Sequence, residues 1–277
     1  FLCVVCAFAA GGDNRKMVGS FHAQDGETLR DLTAQDPAAS SIVLRGHQAE
    51  IVSLAISPNS RWLATGSQDR TARVWDLTAK DPAAAPIVLP AHEGPIRAVA
   101  ISRDSRWLVT GSWDKTARLW DLRAKDLGVA PVVLRGHEDY ISAVAISSDN
   151  RWLVTRSWDK TARLWDLTAQ NPAAAPKVLS SHEDGITAVA FSPDGSTLAT
   201  DDAGGTATLW DAGTGRLRLT LPGHNDALLG LVALGPLLSQ PELSAEAREL
   251  LRGLTVNWMA FLKNAQAFET IQALNED

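Results

Sequence analysis

Tyrosine occurs once in the 277 residues, at position 140, while tryptophan occurs ten times. The two cysteines are too few for a scaffold built on disulfides. No apolar run is long enough to span a bilayer. The longest, Ala227 to Leu238, is about 12 residues, against the roughly 20 that a spanning helix needs. Positive charge is in deficit: 26 Lys and Arg against 32 Asp and Glu leave a net charge of −6. That balance argues against a nucleic-acid partner, because such proteins carry a basic face. No phosphate loop, zinc-protease helix motif or nucleophile elbow occurs in the sequence. What remains is the composition of an ordinary globular chain, 45% hydrophobic and 21% charged, long enough for one large domain or two small ones. The excess of tryptophan over tyrosine is the anomaly, and it suggests copying.

The copied unit is 45 residues long. Rows begin at Ile42, Ile87, Val132 and Lys177, and the second and third match at 30 of 45 positions. Eight of the ten tryptophans fall in the first three rows. Each row carries short β-branched segments separated by turn residues. In the first row these segments are Ile42–Leu44, Ile51–Ser57, Trp62–Ser67 and Thr71–Leu77. The connecting turns are too short for anything but antiparallel neighbours. A sheet of three or four strands cannot bury both faces alone, so copies must stack side by side.

Gly46-His47 with Trp75-Asp76 and Gly136-His137 with Trp165-Asp166 show the same spacing of about 28 residues. Weaker forms are Ala91-His92 with Trp120-Asp121 and Ser181-His182 with Trp210-Asp211, and Gly66–Thr71 and Gly111–Thr116 add an interior Gly-Ser-x-Asp-x-Thr. On these residues the chain resembles the WD-repeat β-propeller family, in a bacterial-type tandem form that often belongs to a larger signalling protein. The resemblance implies an all-β propeller with four clear four-stranded blades over residues 42–227. Residues 1–41 are expected to form a degenerate N-terminal blade, with Arg30 in place of the tryptophan. The apolar start Phe1 to Ala10 reads as its innermost strand; the rival reading is the tail of a signal peptide. Without an initiator Met or a basic leading region, the strand is preferred, the chain is expected to be a piece of a longer cytoplasmic product, and Cys3 and Cys6 then point to opposite strand faces, which defeats chelation. Residues 228–277 are expected to hold part of a sixth blade followed by a helical tail, with helices over 242–254 and 257–274.

In the family, a buried hydrogen-bonded tetrad of His, Thr, Asp and Trp holds each blade. Carried over, the sets are His47, Thr65, Asp69 and Trp75; His92, Thr110, Asp114 and Trp120; His137, Thr155, Asp159 and Trp165. The fourth keeps His182, Thr200 and Trp210 but has Gly204 at the Asp position, which predicts a weaker blade. Repetition argues against catalysis, since a catalytic constellation is normally built once. No catalytic residue, metal site or cofactor is expected.

The family's partner face is built from the outer-to-inner and second-to-third strand loops. Its positions here are Glu50, Val52 and Gln68; Pro95, Arg97 and Trp113; Tyr140, Ser142 and Trp158; Gly185, Thr187 and Ala203. Trp113, Tyr140, Trp158 and Arg97 gather on the middle blades, and these residue types anchor interfaces. Arg156 stands where other repeats have glycine and is expected to lean into solvent. Arg61, Arg106 and Arg151, each preceding a Trp, read as a stacked or solvated ring of the scaffold. The expectation is a non-enzymatic scaffold or regulatory module for a protein or peptide, without nucleic-acid or membrane partners. Self-assembly through open edges or tail helices is the alternative, and a funnel-sited enzyme is less favoured.

Overall fold

The computed structural model describes residues 17–22, 26–31, 42–89, 92–124, 126–127 and 130–221. All regular structure in these residues is β-strand, in five antiparallel sheets. The first has three strands, β1 (Met17–His22), β2 (Gly26–Asp31) and β3 (Ile42–Leu44). Four four-stranded sheets follow, consistent with propeller blades. Blade 1 runs β4 (Ile51–Ile56), β5 (Trp62–Ser67), β6 (Ala72–Asp76), β7 (Ile87–Leu89). Blade 2 runs β8 (Ile96–Ile101), β9 (Trp107–Ser112), β10 (Ala117–Asp121), β11 (Val132–Leu134). Blade 3 runs β12 (Ile141–Ile146), β13 (Trp152–Ser157), β14 (Ala162–Asp166), β15 (Lys177–Leu179). Blade 4 runs β16 (Ile186–Phe191), β17 (Thr197–Asp202), β18 (Ala207–Asp211), β19 (Leu217–Leu221).

The sequence row and the blade are out of phase. The first strand of each row, such as Ile42–Leu44, closes the preceding sheet from outside, where β3 pairs with β2. Each row thereby ties two sheets together covalently. The expected inner strand at Phe1 to Ala10, the Cys3 and Cys6 pair and the helical tail over 228–277 lie outside the described residues.

The inner strands β4, β8, β12 and β16 neighbour one another in turn, so the blades radiate from a common centre. Stacking covers both faces of each middle strand, and all six residues of β5 are buried. Between blades 1 and 2, Ala64, Val74 and Leu89 meet Ile96, Val99 and Leu108. Burying each large side chain of this kind contributes roughly 1.5–3 kcal/mol. Turns between first and second strands link the blades in a chain. Asn59 N donates to Ser105 Oγ (3.1 Å), Asp104 N donates to Asn150 Oδ1 (3.0 Å), and Ser148 Oγ donates to the Pro193 carbonyl.

At two of the blade junctions a glycine sets the spacing. A Cβ at Gly66 would lie 2.6 Å from Ile96 Cγ2, and one at Gly111 would lie 2.8 Å from Ile141 Cγ2. The equivalent residue in blade 3 is Arg156, and it does not lean into solvent. Its Nη1 donates to the Ile186 carbonyl of blade 4 at 3.1 Å, and its Nε is buried without a partner. Its position in the strand aims it at the next blade, so the side chain enters the junction that glycine closes elsewhere.

Candidate functional site

Each four-stranded sheet closes around one buried polar relay. In blade 1, Trp75 Nε1 donates to Thr65 Oγ1 at 3.3 Å, and Thr65 Oγ1 lies 2.9 Å from His47 Nε2. His47 Nδ1 lies 2.8 Å from Asp69 Oδ2. One arrangement of protons satisfies the chain: indole N–H to hydroxyl, hydroxyl to Nε2, Nδ1–H to carboxylate. Blades 2 and 3 repeat it. His92 reaches Asp114 at 2.7 Å and Thr110 at 2.8 Å, with Trp120 on Thr110 at 3.3 Å. His137 reaches Asp159 at 2.7 Å and Thr155 at 2.8 Å, with Trp165 on Thr155 at 3.0 Å.

Blade 4 corrects the expectation of a broken relay. Asp202 takes the place left empty at Gly204, with Oδ2 2.8 Å from His182 Nδ1. Thr200 Oγ1 lies 2.6 Å from His182 Nε2 and accepts from Trp210 Nε1 at 2.8 Å. In the other blades the residue at this strand position is a serine, Ser67, Ser112 or Ser157, whose hydroxyl accepts from the N–H of the tetrad aspartate. An aspartate there reaches the imidazole directly, so the turn can dispense with its own carboxylate.

The titration of these groups follows from burial and hydrogen bonding. Burial lowers the pKa of His47 and His92, against the opposing pull of Asp69 and Asp114. Burial alone would raise the aspartates, but Thr71, the Gln48 N–H and His47 outweigh it and hold Asp69 down to about 2. Asp114 and Asp159 are likewise held well below the usual carboxylate range, with His92 and His137 the leading opponents of burial. In all four relays the imidazole is buried between a hydroxyl and a carboxylate, and the fourfold repetition marks the pairing as part of the scaffold.

The glycine of Gly46-His47 has a steric origin that the motif alone does not reveal. Gly46 has φ 149°, a backbone conformation that side chains rarely adopt, and a Cβ there would also crowd the end of the Arg73 guanidinium. Arg73 Nη2 donates to the Gly46 carbonyl at 2.8 Å, and Arg163 does the same to Gly136 at 2.7 Å. These arginine clamps were not anticipated; Arg73, Arg118 and Arg163 recur at 45-residue spacing two before the tryptophan, and that recurrence is the signal that could have found them.

On the face carrying the outer-to-inner loops, a main-chain bond draws two rim positions together in every blade. Gln68 N donates to the Glu50 carbonyl (2.9 Å), Trp113 to Pro95 (3.0 Å), Trp158 to Tyr140 (3.1 Å), Ala203 to Gly185 (3.0 Å). The third rim position, Val52, Arg97, Ser142 or Thr187, lies at a register shift in each inner strand, a bulge that re-aims one side chain. In blade 1, Gln68 Nε2 donates to Glu50 Oε2 at 2.7 Å. Across blades 2 and 3, the Trp113 and Tyr140 rings stack at 5.0 Å and 16°, and Arg97 lies 5.6 Å over Trp113. Trp113 and Tyr140 are each 42% exposed and Trp158 is 68% exposed.

On the opposite face the described tryptophans are capped. Arg61, Arg106 and Arg151 stack on Trp62, Trp107 and Trp152 and bind Asp76, Asp121 and Asp166 at 3.2–3.4 Å. A cavity of about 650 Å³ opens there between blades 1 and 2, but its lining arginines already have partners, Arg61 on Asp76 and Arg123 on Asp104.

The WD40 family (WD domain, G-beta repeat) matches at residues 39–76, 86–121, 129–166 and 175–211. The Ribosome biogenesis protein BOP1 homolog of Monosiga brevicollis is 49% identical over 39 residues, 14% of this chain and 5% of that protein. Transducin beta-like protein 3 of Rattus norvegicus is 54% identical over 39 residues, again 14% and 5%. The Probable cytosolic iron-sulfur protein assembly protein 1 of Sclerotinia sclerotiorum is 38% identical over 65 residues, 24% of this chain and 14% of that protein. The chain thus spans a small fraction of each, and these eukaryotic relatives lend no support to a bacterial-type signalling protein. A single shared repeat would show little, but four in tandem, matched over more than half the chain, show that it belongs to the WD40 repeat family of protein-interaction scaffolds.

Proposed function

We propose that the chain grips a protein or peptide across the loop face that carries Trp113, Tyr140, Trp158 and Arg97, with Glu50 and Gln68 at its edge. The observation that carries this reading is the distribution of exposed aromatics. All three large exposed aromatic side chains among the described residues lie on this one rim, while the tryptophans of the other face are capped by arginines. The names of the relatives, ribosome biogenesis and iron-sulfur protein assembly, state no enzymatic reaction and fit a scaffold role.

A photo-crosslinking amino acid at position 68 on the rim, and another at position 123 on the opposite face, test the reading. Partner adducts should form from position 68 and disappear when Trp113, Tyr140 and Trp158 are replaced by alanine. Equal adducts from position 123, or adducts indifferent to the triple substitution, would sink it. A second reading, self-association, draws on the outer strands, where Val88, Val178 and Leu217 are about half exposed along unpaired edges. Light scattering of the purified chain separates the two, since edge pairing requires a mass above the monomer.

A further inference from the structure

Among the described residues, tryptophan faces are covered by cations or buried, with one exception. Arg61, Arg106 and Arg151 lie 4.4, 4.4 and 4.8 Å over their tryptophans, Lys177 lies 3.8 Å over Trp152, and Arg97 reaches Trp113. The four tetrad indoles are buried. Trp158 is the exception among the described residues: it is the most exposed of the large apolar side chains, and no described cation or ring rests on it. An uncovered indole face is an electrostatically attractive seat for a cation.

The charge around that seat is negative. Glu138 and Asp139 precede Tyr140, whose carbonyl accepts the Trp158 N–H. Glu183 and Asp184 belong to the next blade, and Lys160, two residues after Trp158, holds them close by donating from Nζ to the Glu183 carbonyl. Lys115 donates in the same way to the Glu138 carbonyl at 2.8 Å. Each ammonium group is held toward a main-chain oxygen, while Glu138, Glu183 and Asp184 are exposed. Four acidic residues therefore stand on the two loops beside the turn that carries Trp158, against the two lysines, which makes this end of the rim acidic.

We propose that Trp158 and its flanking carboxylates form a docking shelf for a basic peptide segment, with an arginine or lysine of the partner lying on the indole. The inference rests on the rim being the partner face and names the chemistry that this end of it selects. Arg97 on Trp113 shows the same contact made within the chain at the neighbouring blade.

The probe is a fluorescein-labelled peptide with three arginines separated by Gly-Ser, titrated by anisotropy at low ionic strength. Two companion peptides carry citrulline or glutamate in place of arginine. The arginine peptide should bind, with affinity falling as salt rises, and Trp158→Ala should weaken it about tenfold. Glu183→Gln with Asp184→Asn should weaken it by a smaller factor, and citrulline should give no saturable binding. The proposal is overturned if the arginine peptide does not bind, if citrulline binds equally, or if Trp158→Ala binds like the wild type. Saturable binding of the glutamate peptide, lost in Trp158→Ala, would overturn the charge assignment and leave the rim reading standing. Loss of the rim reading shows separately, as crosslinks that ignore the aromatic triad.

Discussion

Two junctions between blades are sealed by glycine and the third is entered by arginine, although the residues that face this position are the same. Gly66 faces Ile96 and Val99, Gly111 faces Ile141 and Val144, and Arg156 stands on β13 facing β16, which carries Ile186 and Val189 at the matching positions. A missing Cβ lets an isoleucine methyl close onto the strand; a long side chain holds the next blade off and takes a main-chain oxygen in exchange. In a repeat fold, stability is set by each unit and by each interface, so one substituted position changes one interface and leaves the tetrads alone.

The largest effect should come from making the second junction like the third. Gly111→Arg would drive a side chain into Ile141 and Val144, where even a Cβ comes within 2.8–2.9 Å. Overpacking of this kind costs about 3 kcal/mol or more, read as a lowered urea midpoint. A midpoint within error of the wild type would mean that the blades can slide apart freely, and the contrast between junctions would lose its meaning.

Blade 4 differs from its neighbours at the junction but not in its relay. Asp114→Ala and Asp202→Ala should therefore cost similar amounts, about 1–3 kcal/mol each, because each strands a buried imidazole N–H. Denaturant unfolding of the two variants measures this. If Asp202→Ala is silent while Asp114→Ala is costly, blade 4 is the weaker unit after all, and the geometry of Asp202 carries no weight.

Acid should act on the relays and spare the junctions. His47 and His92 have folded pKa values below the ordinary 6.5, so the unfolded chain takes up protons first as pH falls, and stability declines from that point downward. A second loss follows below 3.8, where Asp69 is protonated in the unfolded chain but resists in the folded one down to about 2. Both losses have the same sign. Gly66 and Gly111 face isoleucine and valine side chains, and no relay group among the described residues hydrogen-bonds Arg156, so stability–pH curves of the wild type and an Arg156 variant should run parallel; diverging curves would place a titrating group in the junction.

The architecture was readable because the repeat displays it four times. Fixed spacing from His47 to Trp75 located strands, turns and the three full tetrads, since hydrogen-bond partners recur with the period. Asp202 escaped because substitution by position assumes that a role stays at its column, while a carboxylate two residues earlier reaches the same imidazole nitrogen. The signal was the Asp201-Asp202 pair in columns held elsewhere by Gly-Ser or Arg-Ser. Arg156 escaped for a different reason. A strand position facing solvent and one facing another blade look alike in a single row, and only Gly66 and Gly111 in the same column mark it as a contact between sheets. The rim aromatics were legible as residue types, but their stacking across two blades required the placement of Tyr140 beside Trp113.

The smallest effect tests the comparison from the other side. Arg156→Gly removes a guanidinium whose Nε is buried without a partner, and burial lowers its pKa, so the site resists the charge it holds. The loss of one hydrogen bond to the Ile186 carbonyl opposes this gain. With Ile186 and Val189 at the same strand positions as Ile96 and Val99, the third junction has the residues it needs to close as the first two do. The net should be a stabilisation of about 0.5–1 kcal/mol, roughly the size of one hydrogen-bond imbalance, with slower amide exchange at β16 as the local readout. A destabilisation of more than about 1 kcal/mol would mean that the arginine stem fills space that the blades cannot close, as expected for a cavity left behind a large side chain. In that case the third junction is wide by construction, and the arginine is its packing.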